Sequence, residues 1–270
     1  MTDSKIISLP IGVFDSGIGG LTVLREIIKK LPNENFIYLG DTARVPYGTK
    51  SSQTVIRYSQ SNSRFLISTG IKHLVVACNT ASAVALPSLR WDFEIPIIGV
   101  IEPGARKAVR VTKTGKVGVI GTSSTIKSNA YKKAVENIAP EIKIYSKACP
   151  LFVPLAEEGW IDGKIAELTA NKYLEPLKES GIDVLILGCT HYPLLKSTIQ
   201  KVIGDEVVLV DSAEETALEI ERTLKENGIS NGSSSSYKRE FYLTDVSETF
   251  ISIAGRFLGD SIEKVEQVDI

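Results

Sequence analysis

The chain has 270 residues, of which 43% are apolar and 23% are charged, and its formal net charge is −1 at pH 7. A chain of this size and composition can bury one large core or two smaller ones. The balanced charge speaks against a protein that binds nucleic acid or a membrane surface. Its apolar runs are far shorter than the roughly 20 residues that a membrane helix needs, so we expect no membrane contact.

The N-terminus and the cysteines indicate a reducing environment. Residues 1–10 lack the basic start and the long apolar core of a secretory signal. The three cysteines are an odd number and include no C-x-x-C pair, which argues against a disulfide framework or a zinc ribbon. Reduced thiols are typical of cytosolic proteins, and we therefore predict a cytoplasmic protein.

Short apolar runs alternate with longer amphipathic stretches along the whole chain. In chain order, the predicted strands are 11–14, 36–39, 74–77, 97–100, 117–120, 184–187, 207–210 and 240–243. The predicted helices are 20–31, 52–69, 125–137, 163–180, 194–202 and 213–227, and the Gly/Ser-rich stretch 227–236 is predicted to be a mobile surface loop. This alternation is typical of an α/β protein whose mostly parallel sheets are flanked by helices.

The chain contains an internal repeat that is centred on two cysteines. One segment runs from an apolar strand into Cys78, and a similar segment runs into Cys189. The residues around Asp15 likewise resemble those around Gly121, at a similar distance before each cysteine. We therefore predict two similar domains related by pseudo-two-fold symmetry, with the active site between them. Residues 1–98 and 209–270 are assigned to the first domain, and residues 99–208 to the second.

The repeat predicts a single cleft that contains both cysteines. Ligands of open parallel sheets bind beyond the carboxyl ends of the strands, and Asp15, Cys78, Gly121 and Cys189 all follow predicted strands. Two thiols on opposite sides of one ligand suit a reaction that removes a proton from one face of a carbon and delivers a proton to the other. Cys149 lacks comparable neighbours and is interpreted as a small buried filler.

Asp15 and His191 are candidate partners of the two thiols. A thiol has an ordinary pKa of about 8.5, and a nearby charge or the N-terminus of a following helix can tune it for proton transfer. Asp15 ends the first strand and could lie beside Cys78, whereas His191 stands two residues after Cys189 and could relay its proton. Capping or packing roles are the alternatives for both. His73 precedes its strand and is interpreted as structural or exposed.

Two loops are candidate binding elements for an anionic substrate. The loop 41–48 follows the second strand, and its Tyr47-Gly48 pair could offer backbone N–H groups to a carboxylate. Residues 123–125, just before the helix predicted near Thr125, could do the same. Two anion-binding spots in one cleft would suit a dicarboxylic amino acid. Glu157 and Glu158 are either an exposed helical pair or include one carboxylate aimed at the cleft, and the sequence leaves this choice open.

Four motifs make the chain resemble a known family. They are residues 14–21, 40–48, 77–82 and 188–193, and the stretch 149–157 fits as well. With these motifs in order, the chain resembles the glutamate racemases, cofactor-independent enzymes that make D-glutamate for bacterial cell walls. The resemblance covers nearly the whole length. It implies interconversion of L- and D-glutamate without a cofactor or a metal, no need for nucleic acid, and a homodimer.

The resemblance also implies roles for individual residues. It places the catalytic thiols at Cys78 and Cys189, with Asp15 as partner of the first and His191 as partner of the second. By the same resemblance, Cys78 acts on D-glutamate and Cys189 acts on L-glutamate. The substrate contacts that it implies are Asp15, Ser16, Pro46, Tyr47, Gly48, Cys78, Asn79, Thr80, Thr122, Thr125, Glu157, Cys189, Thr190 and His191.

Other functions are compatible with parts of this pattern. An aspartate racemase would use the same pair of thiols, although the loop 41–48 favours the glutamate enzyme. A two-domain amino-acid-binding protein would bind its ligand without exchanging the α-hydrogen. A zinc site built from Cys78, Cys189 and His191 lacks a local ligand pair of the usual spacing. A cysteine hydrolase needs only one nucleophile and leaves the second thiol unexplained.

Overall fold

The computed structural model describes residues 6–232, 237–262 and 264–270. The strands are β1 (Ile11–Asp15), β2 (Phe36–Gly40), β3 (His73–Val76), β4 (Ile97–Gly99), β5 (Lys116–Gly121), β6 (Lys143–Ala148), β7 (Val184–Gly188), β8 (Val208–Asp211), β9 (Arg239–Leu243) and β10 (Glu266–Gln267). The helices are α1 (Leu21–Lys30), α2 (Ser52–Ser68), α3 (Asn79–Val84), α4 (Leu86–Asp92), α5 (Ile101–Val111), α6 (Ser123–Lys127), α7 (Ala130–Glu136), α8 (Phe152–Glu158), α9 (Gly163–Glu179), α10 (Lys196–Ile203), α11 (Ser212–Glu226) and α12 (Glu248–Leu258). Short 3₁₀ turns span Thr42–Arg44, Tyr47–Thr49 and Tyr192–Leu195.

The strands form two sheets in which the paired strands are parallel. The first has six strands in the order β10-β9-β2-β1-β3-β4, and the second has four in the order β6-β5-β7-β8. The order β2-β1-β3-β4 in the first sheet has the same connectivity as β6-β5-β7-β8 in the second. Helices flank both sheets, which confirms the predicted α/β class and gives the sequence repeat a structural counterpart.

A pair of glycines shows how closely the repeat extends to side-chain packing. Gly12 lies in β1, and a Cβ at this position would approach Ile71 to 2.6 Å. Gly118 lies at the corresponding place in β5, where a Cβ would approach Ile182 to 2.5 Å. Each isoleucine stands two residues before the neighbouring strand, β3 or β7. Each central strand therefore has a glycine at this position, which leaves room for the isoleucine before the neighbouring strand to pack against the sheet.

The end of the chain returns to the first sheet. Strand β9 pairs with β2, and β10 pairs with β9, so the tail completes the first sheet as the sequence indicated. The division at 98/99 and 208/209 stays a prediction. The pairing places all of β4 with the first sheet and all of β8 with the second, so both predicted boundaries fall inside strands.

Several predicted elements differ from the structure. The helix predicted over 125–137 is two helices, α6 and α7, because Asn129 adopts a left-handed φ of 56° between them. The helix predicted over 194–202 begins as a 3₁₀ turn and continues as α10. Strands β6 and β10 and helices α4, α5 and α8 were not predicted, whereas α3 begins directly after Cys78, where the sequence indicated a following helix. Of the predicted loop 227–236, residues 233–236 lie outside the described residues.

No helix in the described part of the chain combines the length and apolar character needed to cross a bilayer.

Candidate active site

A single cavity of about 180 Å³ lies where the carboxyl ends of the two sheets meet. Both Cys78 and Cys189 line it, and they are 5% and 6% exposed. The other predicted site residues that line it are Ser16, Pro46, Tyr47, Gly48, Asn79, Thr80, Thr122, Glu157, Thr190 and His191. Asp15 and Thr125 do not line the cavity but are bonded to residues that do. The two thiols thus open into one space that is large enough for several waters or one small ligand.

Cys78 occupies the turn between β3 and α3. Its Sγ lies 3.6 Å from the Ser16 hydroxyl, to which it can donate a hydrogen bond. Burial, and then the negative charge of Asp15, raise the pKa of Cys78 to about 12, although the N–H of Ala81 and the Ser16 hydroxyl favour the thiolate. The thiol form of Cys78 is therefore strongly favoured near neutral pH.

Asp15 is fully buried at the end of β1. One of its carboxylate oxygens accepts a hydrogen bond of 2.9 Å from the Gly17 N–H, and the other, Oδ1, has no partner among the described residues. Burial raises the pKa of Asp15, whereas the charge of His191 and nearby backbone N–H groups oppose the rise. A buried carboxylate with a free oxygen and a raised pKa has the properties of a proton acceptor.

Cys189 directly follows β7 and is paired with a histidine. Its Sγ lies 3.9 Å from His191 Nδ1, and His191 Nε2 lies 3.0 Å from a carboxylate oxygen of Glu157. Burial alone would disfavour the charged imidazole, but the hydrogen bonds to Cys189 and Glu157 outweigh it and raise the pKa of His191 to about 10. His191 is therefore an imidazolium at neutral pH, and it stands next to the sulfur with the geometry of a group that stabilises a thiolate.

The position of helix α8 decides between the two adjacent glutamates. Glu157 lines the cavity and binds His191, while its neighbour Glu158 is exposed to solvent. The side chain of Glu157 is itself 44% exposed. The Cys189 side of the cavity therefore connects to solvent through a histidine and a glutamate.

Backbone from the first half of the chain packs directly against His191. Gly19 lies so close that a Cβ at this position would be 2.2 Å from Thr190 Oγ1 and 2.5 Å from His191 Nδ1. Three residues later, the hydroxyl of Thr22 donates a hydrogen bond of 2.9 Å to the Thr190 carbonyl. The turn before α1 and the first residues of α1 thus fix the residues that follow Cys189.

The C-terminal helix α12 holds the other side of the His191 pair. The ring of Phe257 meets the His191 ring edge-on, with centroids 5.3 Å apart. Arg256 donates to the carbonyl of Glu157 over 3.1 Å. Sequence reasoning missed both residues, because they lie far along the chain from the cysteine motifs and carry no local signal of their own.

Three threonine hydroxyls meet at the boundary between the two halves. Thr80 Oγ1 lies 3.0 Å from Thr122 Oγ1 and 3.2 Å from Thr125 Oγ1, and the latter two are 3.0 Å apart. Gly48 packs against the same place, since its Cβ would approach Thr122 to 2.8 Å. Because each hydroxyl can rotate to donate or accept, the cluster can present donors to an anionic group.

The loop after β2 is fixed by a buried carboxylate. Asp41 accepts hydrogen bonds from the Tyr47 hydroxyl, from Arg44 Nε over 2.7 Å and from Thr244 Oγ1 over 3.0 Å. Burial and the charge of Asp41 raise the pKa of Tyr47, so its phenol stays protonated. The hydroxyl of Tyr47 is committed to Asp41, and its ring is the part that lines the cavity.

The same loop is also joined to the tail of the chain. The Ala43 N–H donates to Thr244 Oγ1 over 2.9 Å. The Thr42 hydroxyl donates to the Asp245 carbonyl over 2.6 Å and accepts from the Asp245 N–H over 2.8 Å. We call these contacts the 42–245 clasp. Through these contacts, residues near the C-terminus hold the loop that forms one wall of the cavity.

The third cysteine and the second histidine lie outside the cavity. Cys149 is buried with its Sγ 3.6 Å from the Lys147 carbonyl, and burial raises its pKa. His73 is fully buried in β3, and neither ring nitrogen has a hydrogen-bond partner among the described residues. Across those residues, no group of three or more His, Cys, Asp or Glu side chains is arranged to hold a metal ion.

Comparison with known proteins identifies relatives over nearly the full length. Residues 11–220 match the Asp/Glu/hydantoin racemase family. A glutamate racemase of Geobacter metallireducens is 56% identical over 260 residues, which is 96% of this chain and 96% of that protein. A crystal structure of a glutamate racemase isoform from Bacillus anthracis has a TM-score of 0.93 at 45% identity and covers 97% of this chain and 98% of its own.

Two further solved structures separate close from distant relatives. The glutamate racemase of Francisella tularensis, crystallised with D-glutamate, has a TM-score of 0.92 at 41% identity and covers 97% of this chain and 98% of its own. An aspartate racemase from Picrophilus torridus has a TM-score of 0.57 at 16% identity and covers 82% of this chain and 98% of its own. The similarity to the aspartate racemase shows a shared fold and nothing further.

Proposed function

This chain belongs to the Asp/Glu/hydantoin racemase family of amino-acid racemases, and we propose that it interconverts L- and D-glutamate through its two thiols. The observation that carries the proposal is that Cys78 and Cys189, at equivalent strand ends, line one cavity. The relative crystallised with D-glutamate supports glutamate as the substrate. Its similarity is far greater than that of the aspartate racemase.

The reaction requires one base and one acid on opposite faces of the α-carbon. One thiolate takes the α-proton, the electron pair of the broken C–H bond stays on the carbon, and the other thiol delivers its proton to the opposite face. In our proposal Cys78 deprotonates D-glutamate and Cys189 deprotonates L-glutamate. Two groups suit an inversion, because a single group would have to cross the plane of the carbon between the two steps.

The partners of the thiols supply two different means of activation. The imidazolium of His191 beside Cys189 stabilises the negative sulfur, and Glu157 keeps that imidazolium charged. On the other side, burial and then the carboxylate of Asp15 raise the pKa of Cys78, and Asp15 is a candidate acceptor for the proton of that thiol. General acid–base catalysis contributes about 10²–10⁴-fold, so preorganised donors in the enclosed cavity have to provide the remaining acceleration.

We assign substrate binding to the polar residues around the thiols. The hydroxyls of Thr80, Thr122 and Thr125 form one group of donors. Ser16, Asn79 and Thr190 lie beside the cysteines, and Pro46, Tyr47 and Gly48 form the wall that Asp41 fixes. These donors at separate places in the cavity are consistent with a ligand that carries two carboxylates and one ammonium group.

The proposed activity can be tested without any added cofactor. L-glutamate is incubated with the purified protein in deuterated water, and the products are separated by chiral chromatography and analysed by mass spectrometry. We expect D-glutamate that carries one deuterium at the α-carbon, and a much slower reaction with aspartate in a parallel assay. Tight binding of glutamate without α-hydrogen exchange would instead support a binding protein.

We further propose that the protein is a cytoplasmic homodimer whose D-glutamate enters peptidoglycan synthesis. Similarity to glutamate racemases over almost the entire chain supports this biological role. The three free cysteines fit a reducing compartment. Complementation of a D-glutamate auxotroph tests the role, and sedimentation analysis tests the dimer.

A further inference from the structure

Tyr131 connects the two thiol-bearing halves of the molecule without lining the cavity. It is the second residue of α7 and is 3% exposed. Its hydroxyl accepts a hydrogen bond of 2.8 Å from the side-chain Nδ2 of Asn79. Asn79 directly follows Cys78 and lines the cavity. A residue of the second half therefore holds the neighbour of the thiol in the first half.

The ring of Tyr131 is fixed by the other thiol-bearing strand. Gly188 immediately precedes Cys189, and a Cβ at Gly188 would be 2.9 Å from the Tyr131 ring. Gly104 in α5 lies on another side, where a Cβ would be 3.5 Å from the ring. Ser212, the first residue of α11, also lies beside the hydroxyl. The phenol is thus held between β7, α5 and α11, which leaves it little freedom to move.

In this arrangement the oxygen of the Asn79 amide is the free atom. The amide Nδ2 donates its hydrogen bond to the Tyr131 hydroxyl, which acts as the acceptor. The amide oxygen Oδ1 of Asn79 is buried and has no partner among the described residues. A buried amide oxygen without a partner is unfavourable unless a donor reaches it. In a cavity for amino acids, the α-ammonium group is a donor of the right kind.

We propose that Tyr131 is a positioning residue, which holds the Asn79 amide so that Oδ1 accepts a hydrogen bond from the α-ammonium group of the substrate. The proposal rests on the proposed function, since it assumes an amino-acid substrate. This role explains why the buried hydroxyl of Tyr131, in the second half of the molecule, forms a hydrogen bond with Asn79, the residue next to Cys78. Because the same ring packs on Gly188, Tyr131 also ties the ammonium contact to the strand that carries Cys189.

Steady-state kinetics of Tyr131→Phe provide the first test. The variant keeps the ring and removes the hydroxyl, so the Asn79 amide loses its fixed orientation. Since the ammonium contact exists in both the ground state and the transition state, we expect about a ten-fold rise in KM with kcat changed less than about two-fold. Tyr242→Phe is the matched control, because it removes a phenol hydroxyl that bonds to Glu240 in β9 of the first sheet, and neither residue lines the cavity.

A double-mutant cycle distinguishes positioning from a general structural effect. In an Asn79→Ala background, Tyr131→Phe should cause no further loss in affinity for glutamate, because its only route to the substrate is gone. Binding is measured by calorimetry in a Cys78→Ala background, so turnover is not required. An unchanged KM in Tyr131→Phe, or equal losses in the presence and absence of Asn79, would overturn the proposal.

An NMR measurement tests the same contact independently of the enzyme's activity. In protein labelled with ¹⁵N-asparagine, the side-chain NH₂ of Asn79 should exchange slowly with solvent, and Tyr131→Phe should speed that exchange at least about ten-fold. Tyr242→Phe should leave it unchanged. If the protein proves not to racemise glutamate while this effect is present, the proposed function fails and the positioning of Asn79 stands. If the exchange rate does not respond, the positioning role is wrong.

Discussion

The two sides of the cavity have the same strand connectivity but surround their thiols with different groups. On the first side, Cys78 lies near a fully buried carboxylate, Asp15, which has one oxygen without a partner. On the second side, Cys189 adjoins the His191 imidazole, which is bound to the half-exposed Glu157. The repeat therefore accounts for where the thiols lie, and the residues next to each strand end account for their chemistry.

This difference has a direct consequence for the reaction. A negative neighbour disfavours a thiolate, whereas an imidazolium favours one. The two thiols therefore have unequal surroundings in the resting protein, even though a racemase must run in both directions. Substitutions on the two sides should therefore differ in their effects on racemisation and on its pH dependence, and removal of a thiol should have a larger effect than a change to its partners.

Removal of either thiol should have the largest effect. Cys78→Ala and Cys189→Ala should each lower racemisation by about 10²–10⁴-fold, the usual contribution of a positioned acid or base. Elimination from a halogenated glutamate analogue needs only one base, and we expect it to survive in one of the two variants. Chiral chromatography and an elimination assay measure the two activities separately.

Cys149→Ala is the control for thiol removal. Cys149 is buried and does not line the cavity, so this variant should keep its racemase activity. Full racemisation by either of the first two variants would contradict the two-base scheme.

Gly19→Ala should disturb the second side from across the cavity. The added methyl would collide with Thr190 Oγ1 and His191 Nδ1, and a displacement of about 1 Å can cost about 10²-fold in rate. We expect a loss of this size in kcat with little change in folding, as followed by circular dichroism. Gly232→Ala, at an exposed glycine with open space around it, should be silent. Wild-type activity in Gly19→Ala would mean that the position of His191 is not critical.

Glu157→Gln should weaken the charge on the second side only. A neutral amide no longer favours the imidazolium, so the pKa of His191 should fall from its raised value of about 10. The alkaline decline of kcat should then move to lower pH, with about a ten-fold loss at pH 8. With only two histidines in the chain, the titration of His191 can be followed directly by NMR.

The same substitution should change how stability depends on pH. A pKa raised above the unfolded value gives stability that is complete below about pH 6.5 and is lost as the pH rises towards 10. Urea unfolding between pH 6 and pH 10 should therefore show a shallower decline for Glu157→Gln than for the unchanged protein. Glu158→Gln, at the exposed neighbouring residue, is the control. If stability depended on pH in the same way in both variants, Glu157 would have no role in holding the charge of His191.

His73→Leu should leave racemase activity unchanged. It should also show that the pKa of His73 is shifted downward, in contrast to the raised pKa of His191. Burial, assisted by the charge of Lys72, lowers the pKa of His73 to about 4. A lowered pKa means that the unchanged protein loses stability as the pH falls from about 6.5 to 4, by on the order of 3 kcal/mol. The variant should lose less over this range, as measured by urea unfolding. A loss of racemisation in His73→Leu would place the residue in the site after all.

The sequence predicted the central strands better than the helices between them. Strands buried on both faces appear as continuous apolar runs, and those runs located β1, β3, β5 and β7 almost to the residue. The missed helices α4, α5 and α8 each carry a proline in the first turn, at Pro87, Pro103 and Pro154. Proline is compatible with a first turn, but in the sequence it resembles a loop signal. Strand β6 was missed because its partly exposed pattern lacks a clear period.

Site residues were predictable where chemistry and chain neighbourhood coincide. Ser16, Asn79 and His191 stand next to the strand-end motifs, and the structure brings them to one cavity. Tyr131 and Phe257 reach the site through tertiary packing, for which the sequence offers no local pattern. The choice between Glu157 and Glu158 depended on the rotation of α8, which adjacent positions on a helix cannot reveal.

The 42–245 clasp and the pairing of β9 with β2 bear on how the chain folds as it is synthesised. The ribosome releases the N-terminal half first, yet β2 has no partner on its outer side until β9 emerges. During that interval β2 is an open edge that can pair with another nascent chain. The cavity wall around Tyr47 reaches its final form only after Thr244 has left the exit tunnel, so the first sheet to be started is the last to be finished.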